Sequence, residues 1–476
     1  MNYNIEELNI TEYTNNTEDI TAFDSNDDTD SLDLQDLLDP NRTNDVIKIY
    51  NLNKLEYNYN TNTKDDSMAS PYKEIIRYHN INGLNNYFQL KLKELDKNIY
   101  NTNELFKNNS CKLLELINRW CWHQYNNATC IDFVIPYLKD NNYDYMRFID
   151  DLNYILGVND TPNAIKITDK IICELKDSIR DYLHIEYLNY SSRDNINIPV
   201  IKDFVDKKVR LTCTYKNNLY PVIMHSKVYD RLKYKLIMFG KDYNIIDEYM
   251  NNIDNLLDQY IFCLFFRYSY MDSGNQQLAI NQHIKDLFKK SGVNFELFGS
   301  AINSVSTNYC SLFFDIEKYF GSKGNFFDIE INKGAYWCNP PYDDTIMTNT
   351  GDKLLSVLNT DKQVVFIITI PIWDTYTQNK MKEDKIEKIC RNYNKDTKEN
   401  DHHDFKIYQK LKPYIKDELI IPKHRIPYFN YKKYSYINAV NTYMLIVYNN
   451  IPVDIAENLS ANFDHIIKLD INNHFY

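Results

Sequence analysis

The sequence predicts an α/β protein in which a doubly wound α/β domain, residues 272–476, follows a mainly helical domain, residues 67–271. Between residues 71 and 271 apolar residues recur mostly three and four positions apart, which is the spacing of buried helix faces. After Gly274 short apolar runs alternate with helical stretches, the order expected of a sheet covered by helices. Residues 1–66 are polar and acidic, and we predict a disordered tail there.

The net charge of the chain lies in this tail. The net charge is −12, and the first 45 residues contain 13 acidic residues and one arginine, which accounts for all of it. The rest of the chain is near neutrality, so the overall acidity does not exclude a local basic groove for a nucleic acid. The leucines of SLDLQDLLD are spaced for a short partner-binding helix, but a solvated tail is the simpler interpretation, and the partner is unknown.

The sequence predicts neither a membrane protein nor a metal-binding protein. The chain has no apolar stretch long enough for a bilayer, and MNYNIEELNI lacks the pattern of a signal peptide, so we expect an intracellular, cytoplasmic protein. The nine cysteines are scattered without zinc-like spacing, so we expect reduced thiols and no metal site. The abundance of Asn, Ile, Lys and Tyr indicates an AT-rich genome, which favours a large cytoplasmic DNA virus, with its factory or virion as location, or a protist.

The helical domain contains four predicted helices and one hairpin. The helices cover YKEIIRYHNINGLNNYFQLKLKEL, SCKLLELINRWCWHQYNN, VYDRLKYKLIM and NIIDEYMNNIDNLLDQYIFCLFFRYSYM. The segment VRLTCTYKNNLYPVIMH predicts two strands with a turn at residues 216–218. Trp120 and Trp122 are expected in the core, with base stacking as the alternative.

The α/β domain begins with a predicted helix, INQHIKDLFKK, and a short strand at residues 293–298 that leads into the loop FGSAIN. Short apolar runs follow in YCSLFFDIE and KGAYWC, and the continuous apolar runs QVVFIITIPIW and TYMLIVYNN are typical of inner strands. Ligands of such sheets bind beyond the carboxyl ends of the strands. The motif NPPY lies at one such end.

The motif Asn339-Pro340-Pro341-Tyr342 is suited to methyl transfer to an aromatic amino group. Such a group is a poor nucleophile, because its lone pair is delocalised into the ring. The Asn339 amide oxygen and the Pro340 carbonyl can accept the two N–H bonds, Pro341 fixes the backbone before it, and Tyr342 offers a face to the base. S-adenosylmethionine-dependent enzymes acting on adenine, cytosine and protein glutamine share this pattern, so it predicts the reaction better than the substrate. A structural turn is the alternative.

The loop expected to bind the cofactor has few glycines. Many such enzymes use a glycine-rich loop after the first strand, whereas FGSAIN contains only Gly299. Side chains such as Ser300 and Asn303 are therefore expected to contact the methionine part of the cofactor. Asp315, at the end of the next run, is placed where ribose hydroxyls are usually bound, with a helix cap as an equal alternative.

Residues 274–448 resemble the catalytic core of the cap-specific adenosine N6-methyltransferases, also called the phosphorylated-CTD-interacting factor family. The shared elements are Gln276, GVNFELF before FGSAIN, YCSLFF, YFGSKG, NPPY and the Pro-x-Trp of FIITIPIW. The resemblance implies a Rossmann-like class I methyltransferase domain after a helical domain, with S-adenosylmethionine as cofactor. It implies that the substrate is the 6-amino group of the cap-adjacent adenosine, often 2′-O-methylated, of capped RNA.

The resemblance also implies roles for individual residues. Asn339, Pro340, Pro341 and Tyr342 correspond to the catalytic motif. The pocket positions are Gln276, Phe298, Ser300, Asn303, Phe320, Ser322 and Trp373.

The chain departs from the family at several positions. The family continues its motif with Phe and then Cys-Glu-Glu, where this chain has Tyr342, Asp343 and Asp344, so the acidic pocket residue Asp344 is one methylene shorter. Ile372 replaces a Glu within Pro-x-Trp. The first 119 residues contain no tryptophan, so we expect no WW module and no recruitment by phosphorylated polymerase.

Contacts to RNA require positive charge and stacking surfaces. Lys423 and Arg425 are candidates, in a segment where lysines alternate with tyrosines, and an ordinary solvated loop is an even alternative. Two other functions remain open from the sequence: an adenine N6-methyltransferase acting on DNA or internal RNA sites, and a catalytically inactive RNA-binding paralogue.

Overall fold

The computed structural model describes residues 69–99, 110–125, 130, 132–138, 143, 145, 148, 196–243, 245, 253–271, 277–398 and 401–471. The predicted acidic tail lies outside the described residues. All described residues belong to one unit, Ile49–Tyr476. Among the described helices, none has the length and apolar character needed to cross a membrane.

The helices and strands alternate along the second half of the chain, as the sequence predicts. The helices are α1 (Pro71–Ile99), α2 (Ser110–Tyr125), α3 (Ser226–Gly240), α4 (Ile253–Tyr270), α5 (Gln282–Lys290), α6 (Phe314–Glu317), α7 (Asp344–Leu358), α8 (Thr375–Glu383), α9 (Lys406–Leu411) and α10 (Val453–Ile471). The strands are β1 (Val200–Val205), β2 (Lys208–Tyr215), β3 (Asn218–His225), β4 (Leu278–Ala279), β5 (Phe295–Glu296), β6 (Asn308–Tyr309), β7 (Gly334–Cys338), β8 (Val364–Pro371), β9 (Cys390–Arg391), β10 (Ile415–Ile421), β11 (Tyr428–Asn430), β12 (Ser435–Ile437) and β13 (Thr442–Asn449).

A seven-stranded mixed sheet forms the centre of the α/β part, with the order β6-β5-β7-β8-β13-β10-β9. Strands β6, β5, β7 and β8 run parallel to one another. Strand β13 lies antiparallel between β8 and β10. The two runs predicted to be inner strands are β8 and β13, and they pair along their full length, so the predicted α/β architecture is confirmed as a mixed α/β fold.

Helices cover both faces of this sheet. Along β8, Phe366 and Ile368 pack into the core that contains residues of α7 and α9, whereas Val365 and Ile367 pack into the core that contains residues of α5 and α10. A strand buried on both faces needs apolar residues on both, which explains why this run is nearly continuous rather than alternating, with Thr369 as its polar residue.

The predicted hairpin is confirmed as β2 and β3. Lys216 and Asn217 both have positive φ, at 49° and 65°, which is the backbone of a two-residue hairpin turn. Sequence analysis missed the third strand, β1, which pairs antiparallel with β2, because its apolar residues Ile201 and Phe204 are exposed and show no buried face. Trp120 lies in the core and stacks on Tyr145, with ring centroids 5.4 Å apart, as expected.

A buried charge network, defined here as Glu74, Arg77, Asp132, Arg267 and Asp315, joins the helical part to the α/β part. Arg267 of α4 donates to Glu74 of α1 at 3.1 Å through Nε and to Asp315 of α6 at 2.6 Å through Nη1. Arg77 donates to Glu74 at 2.7 Å and to Asp132 at 2.9 Å. Burial would raise the pKa of Glu74, but the charges of Arg267 and Arg77 outweigh it and lower the pKa to about 2.

We expect Glu74→Gln to lower the free energy of unfolding at pH 7 by about 3–5 kcal/mol, because it leaves buried arginines without their carboxylate. Since the pKa of Glu74 falls from 4.5 to about 2 on folding, its ionisation stabilises the wild type above pH 4.5, and this contribution is lost as the pH falls towards 2. Urea unfolding between pH 7 and pH 3 should therefore show the wild type and the variant converging. The exposed Glu457→Gln on α10 is the control, and an equal loss in both variants would contradict the network.

Candidate active site

The carboxyl ends of four parallel strands, β6, β5, β7 and β8, meet at one edge of the mixed sheet. Beyond β5, Leu297 N donates to the Trp337 carbonyl at 2.8 Å, and Gly299 N donates to the Cys310 carbonyl at 2.9 Å. The loop at 299–304 and the motif at 339–342 therefore follow neighbouring strands. This edge is where ligands bind in open α/β sheets.

The NPPY motif connects β7 to the start of α7. Asp343 is the N-cap of α7, and its carboxylate accepts from Thr345 N and Ile346 N, both at 3.0 Å. Asp343 N donates to the Pro341 carbonyl at 2.8 Å. The motif is thus fixed between a buried strand and a capped helix, with Pro340 buried and Asn339 half-buried.

The hydroxyl of Tyr342 takes part in a row of hydrogen bonds. It lies 2.7 Å from Tyr428 Oη and 3.4 Å from Asn339 Oδ1. Tyr428 Oη lies 2.8 Å from Thr442 Oγ1. Burial raises the pKa of both tyrosines, so both hydroxyls are protonated at neutral pH. The ring of Trp373, which is 39% exposed, meets that of Tyr342 edge to face at 6.3 Å.

The loop at 299–304 is fixed by buried side chains. Ser300 Oγ donates to Gln277 Oε1 at 2.6 Å, and Ser300 N donates to Asn303 Oδ1 at 2.8 Å. The predicted pair Ser300 and Asn303 therefore lies together, in contact with a residue that sequence analysis did not select. Gln277 stands one position after the predicted Gln276, which lies outside the described residues.

Two further buried residues, one on α3 and one on α6, form hydrogen bonds to the loop at 299–304. Lys235 of α3 donates to the Ser304 carbonyl at 2.9 Å and to Ser304 Oγ at 2.6 Å, and Glu317 accepts from Ala301 N at 2.6 Å. Burial lowers the pKa of Lys235 to about 7 and raises that of Glu317 to about 7. Sequence analysis missed both residues, because a single lysine or glutamate in a chain rich in charge gives no local signal.

Glu296, the last residue of β5, also forms hydrogen bonds to this loop. Glu296 accepts from Val305 N at 2.7 Å, from Ser306 N at 2.8 Å and from Lys285 at 2.7 Å. Burial would raise its pKa, but Lys285 and the backbone donors lower the pKa below its usual range. The Glu296 carboxylate therefore holds the far end of the loop, at Val305 and Ser306, next to the end of β5. This determines the positions of Ser300 and Asn303.

The block YFGSKG folds back onto the carboxyl end of β6. Ser322 Oγ lies 2.6 Å from Ser311 Oγ, and Lys323 N donates to the Tyr309 carbonyl at 2.8 Å. Phe320 is fully buried. Gly321 has φ +97°, and a Cβ there would lie 2.5 Å from the ring of Phe239 on α3, so both the backbone angle and the contact require glycine.

The remaining predicted residues lie at different depths. Phe298 is half-buried and packs on Phe326, with ring centroids 4.7 Å apart. Asp315 belongs to the buried charge network, so Arg267 already neutralises its carboxylate, and its contact to ribose stays a prediction. Asp344 is exposed at the first position of α7.

The basic candidates follow β10, which runs parallel to β8 and ends at the same edge. Lys423 has an exposed side chain, and its backbone N donates to Asn441 Oδ1 at 2.9 Å. Arg425 instead donates to Asp470 of α10 at 2.6 Å. Of the two, Lys423 has the side chain open to a polyanion.

Comparison with known proteins supports the predicted family. Residues 238–405 match the family model described as "Phosphorylated CTD interacting factor 1 WW domain". Two curated relatives, from Mus musculus and Homo sapiens, are each 31% identical over 121 residues and are both named mRNA (2'-O-methyladenosine-N(6)-)-methyltransferase. The matching segment is 24% of this chain and spans 17% of the length of these relatives. The predicted resemblance is confirmed as distant homology, and the matched range runs from the end of α3 to the residue before α9.

We expect Gly321→Ala to destabilise the fold by about 3 kcal/mol, since it adds a strained backbone angle to a clash with Phe239. Thermal unfolding measures the effect. Gly351→Ala in α7 is the matched control, because its Cβ would make an ordinary 3.4 Å contact with Ile407 and alanine favours the helix. Adding Phe239→Leu should restore part of the loss by Gly321→Ala. Equal melting temperatures for the two alanine variants would contradict this account.

Proposed function

We propose that this chain is an S-adenosylmethionine-dependent methyltransferase that acts on the 6-amino group of the cap-adjacent adenosine of mRNA, often 2′-O-methylated. The observation that supports this most directly is the position of Asn339-Pro340-Pro341-Tyr342 at the carboxyl end of β7, beside the loop that follows β5. A mixed sheet in which the antiparallel strand β13 lies between the parallel strands β8 and β10 fits a Rossmann-like class I methyltransferase domain after a helical domain. Homology to a named mRNA methyltransferase supports the substrate.

The donor set at this edge fits S-adenosylmethionine. The cofactor has a charged amino acid end, which needs hydroxyl and amide groups, and an adenine, which needs apolar or aromatic faces. Ser300 and Asn303 provide the polar groups, and Phe298 provides a half-buried ring. At Gly299 a Cβ would lie 3.3 Å from Ser304 Cβ, which is a tight contact, so the loop is closely packed at this position. We propose that these residues, together with Ser322 and Trp373, bind the cofactor.

Bound cofactor would supply an electrophilic methyl group, and the residues of the chain prepare the adenine to receive it. In our proposal the Asn339 amide oxygen and the Pro340 carbonyl accept the two N–H bonds of the amino group, which directs its lone pair out of the ring plane. Tyr342 lies beside Asn339 and meets Trp373 edge to face, so the two rings can contact the base. The amino group becomes acidic as it is alkylated, so the proton can leave to water without a strong base.

Recognition of the RNA strand is proposed to involve Lys423, whose exposed side chain lies at the same edge as Trp373. Ile372 N donates to the Asn441 carbonyl at 2.9 Å, and the Asn441 side chain accepts from Lys423 N at the same distance, which ties the two segments together. A lysine there would contact phosphate as a point charge. Asp344, the first residue of α7, is proposed as the acidic residue of the substrate pocket.

We expect wild-type protein to transfer methyl groups from labelled S-adenosylmethionine to capped RNA that begins with adenosine, and Asn339→Ala to lower this rate at least a hundredfold, because it removes an acceptor that acts on the transition state. Asn349→Ala is the matched control, since Asn349 is exposed on α7 and undergoes the same chemical change. The same RNA without a cap and an adenine-containing DNA duplex are tested in parallel.

The three substrates distinguish the competing functions. Labelling of uncapped RNA or of DNA at the rate of capped RNA would retain the reaction and overturn the cap specificity. Absence of labelling on all three would overturn the enzyme proposal in favour of an inactive RNA-binding paralogue.

We expect Ser300→Ala to weaken S-adenosylmethionine binding about tenfold, because the loop loses the hydroxyl that contacts Gln277 and accepts from Asn303 N. Isothermal titration calorimetry with the full chain measures this directly. Ser356→Ala, exposed on α7, should bind like wild type. If Ser300→Ala binds S-adenosylmethionine as tightly as wild type, this loop is not part of the cofactor site.

A further inference from the structure

Three hydroxyl groups stand in a row behind the NPPY motif. Tyr342 Oη lies 2.7 Å from Tyr428 Oη, which lies 2.8 Å from Thr442 Oγ1, and Thr442 Oγ1 lies 3.2 Å from the Val440 carbonyl. At the other end, Tyr342 Oη lies 3.4 Å from Asn339 Oδ1. The row therefore connects the proposed acceptor of the adenine amino group to a backbone carbonyl in the segment before β13.

The direction of these hydrogen bonds follows from counting protons. Each hydroxyl has one proton to donate, and a carbonyl can only accept. If Thr442 donates to the Val440 carbonyl, it must accept from Tyr428, and Tyr428 must then accept from Tyr342. In this order every hydroxyl proton lies in a bond of 3.2 Å or less, and the proton of Tyr342 points away from Asn339.

The opposite order is less favourable. Thr442 would donate to Tyr428 and Tyr428 to Tyr342, so that Tyr342 donates to Asn339 Oδ1. The last bond would then span 3.4 Å, the longest distance in the row, and the Val440 carbonyl would lose the Thr442 proton. The amide oxygen of Asn339 would also be occupied by a donor before substrate arrives.

We propose that Tyr428 is a positioning residue that directs the proton of Tyr342 away from Asn339, so that the Asn339 amide oxygen stays available to the adenine amino group. This inference rests on the proposed function, because it concerns the acceptor of that amino group. Tyr428 contacts neither reactant in this account and acts only through Tyr342. Tyr428 also belongs to β11, so the strand that follows Lys423 and Arg425 determines the hydrogen bonding of the proposed catalytic motif.

The proposal predicts an unusual relation between two conservative variants. Tyr428→Phe removes the acceptor for Tyr342, whose proton then turns to Asn339 Oδ1 and competes with the adenine N–H. We expect kcat on capped RNA to fall about tenfold, the effect of weakening one hydrogen bond in the transition state, with KM changed less than threefold. Tyr342→Phe keeps the aromatic ring but has no proton to misdirect, so its kcat is the reference rate against which the double variant is compared.

The double variant Tyr342→Phe/Tyr428→Phe gives the decisive comparison, because it removes the competing donor and should recover the kcat of Tyr342→Phe. A merely structural role of Tyr428 in supporting β11 predicts the same loss in the single and double variants, and that result would overturn the proposal. Tyr414→Phe is the control: it removes a hydroxyl that donates to Asn359 at 2.6 Å, at the start of β10 and away from the carboxyl edge.

A crystal structure of Tyr428→Phe tests the hydrogen bonding without any assay. We expect the distance between Tyr342 Oη and Asn339 Oδ1 to shorten from 3.4 Å to about 2.8 Å, and a distance unchanged from the wild type would overturn the proposal. If wild type transfers no methyl group to any substrate, the proposed function fails even where this distance shortens. If wild type is active but the double variant shows no recovery, the role of Tyr428 fails and the proposed function stands.

Discussion

The pairing of Arg267 with Glu74 and Asp315 is the interaction on which the rest of the structure depends. A guanidinium removed from water has to be neutralised by carboxylates in fixed positions, and here one carboxylate comes from α1 and the other from α6, at the rim of the candidate active site. Displacing either helix would leave a charge unpaired in the core. The helical part and the loops at the sheet edge are therefore constrained to keep one relative position.

The contact between the two parts also explains how the loop at 299–304 keeps its shape with a single glycine. A glycine-rich loop adopts its shape through backbone freedom and presents its own N–H groups to a ligand. In this protein Glu296, Glu317, Lys235 and Gln277 bind the loop through hydrogen bonds instead. The helical part thereby contributes directly to the site, because Lys235 belongs to α3, and the candidate pocket is complete only when both parts have folded.

The sequence predicted those features whose signal is local. The apolar run of β8, the turn of the hairpin at Lys216 and Asn217, and the NPPY motif each lie within a few consecutive residues. It could not predict the partner of Asp315 or the role of Lys235, since Arg267 and Ser304 lie 48 and 69 residues away along the chain. Nor does an exposed edge strand such as β1 differ in pattern from a loop. The contact between Tyr342 and Tyr428 is equally non-local. In a chain so rich in tyrosine, no local pattern marks these two residues as partners.

The position of β13 in the sheet has a consequence for how the protein is made. Strand β8 is buried at every position, yet its neighbour on one side, residues 442–449, is synthesised only after α8, β9, α9, β10, β11 and β12. Until that strand leaves the ribosome, a largely apolar edge has no partner and can pair with another chain. Pairing over so long a stretch of sequence is also intrinsically slow. Folding of the newly made chain therefore depends on how well this one strand is protected until β13 pairs with it.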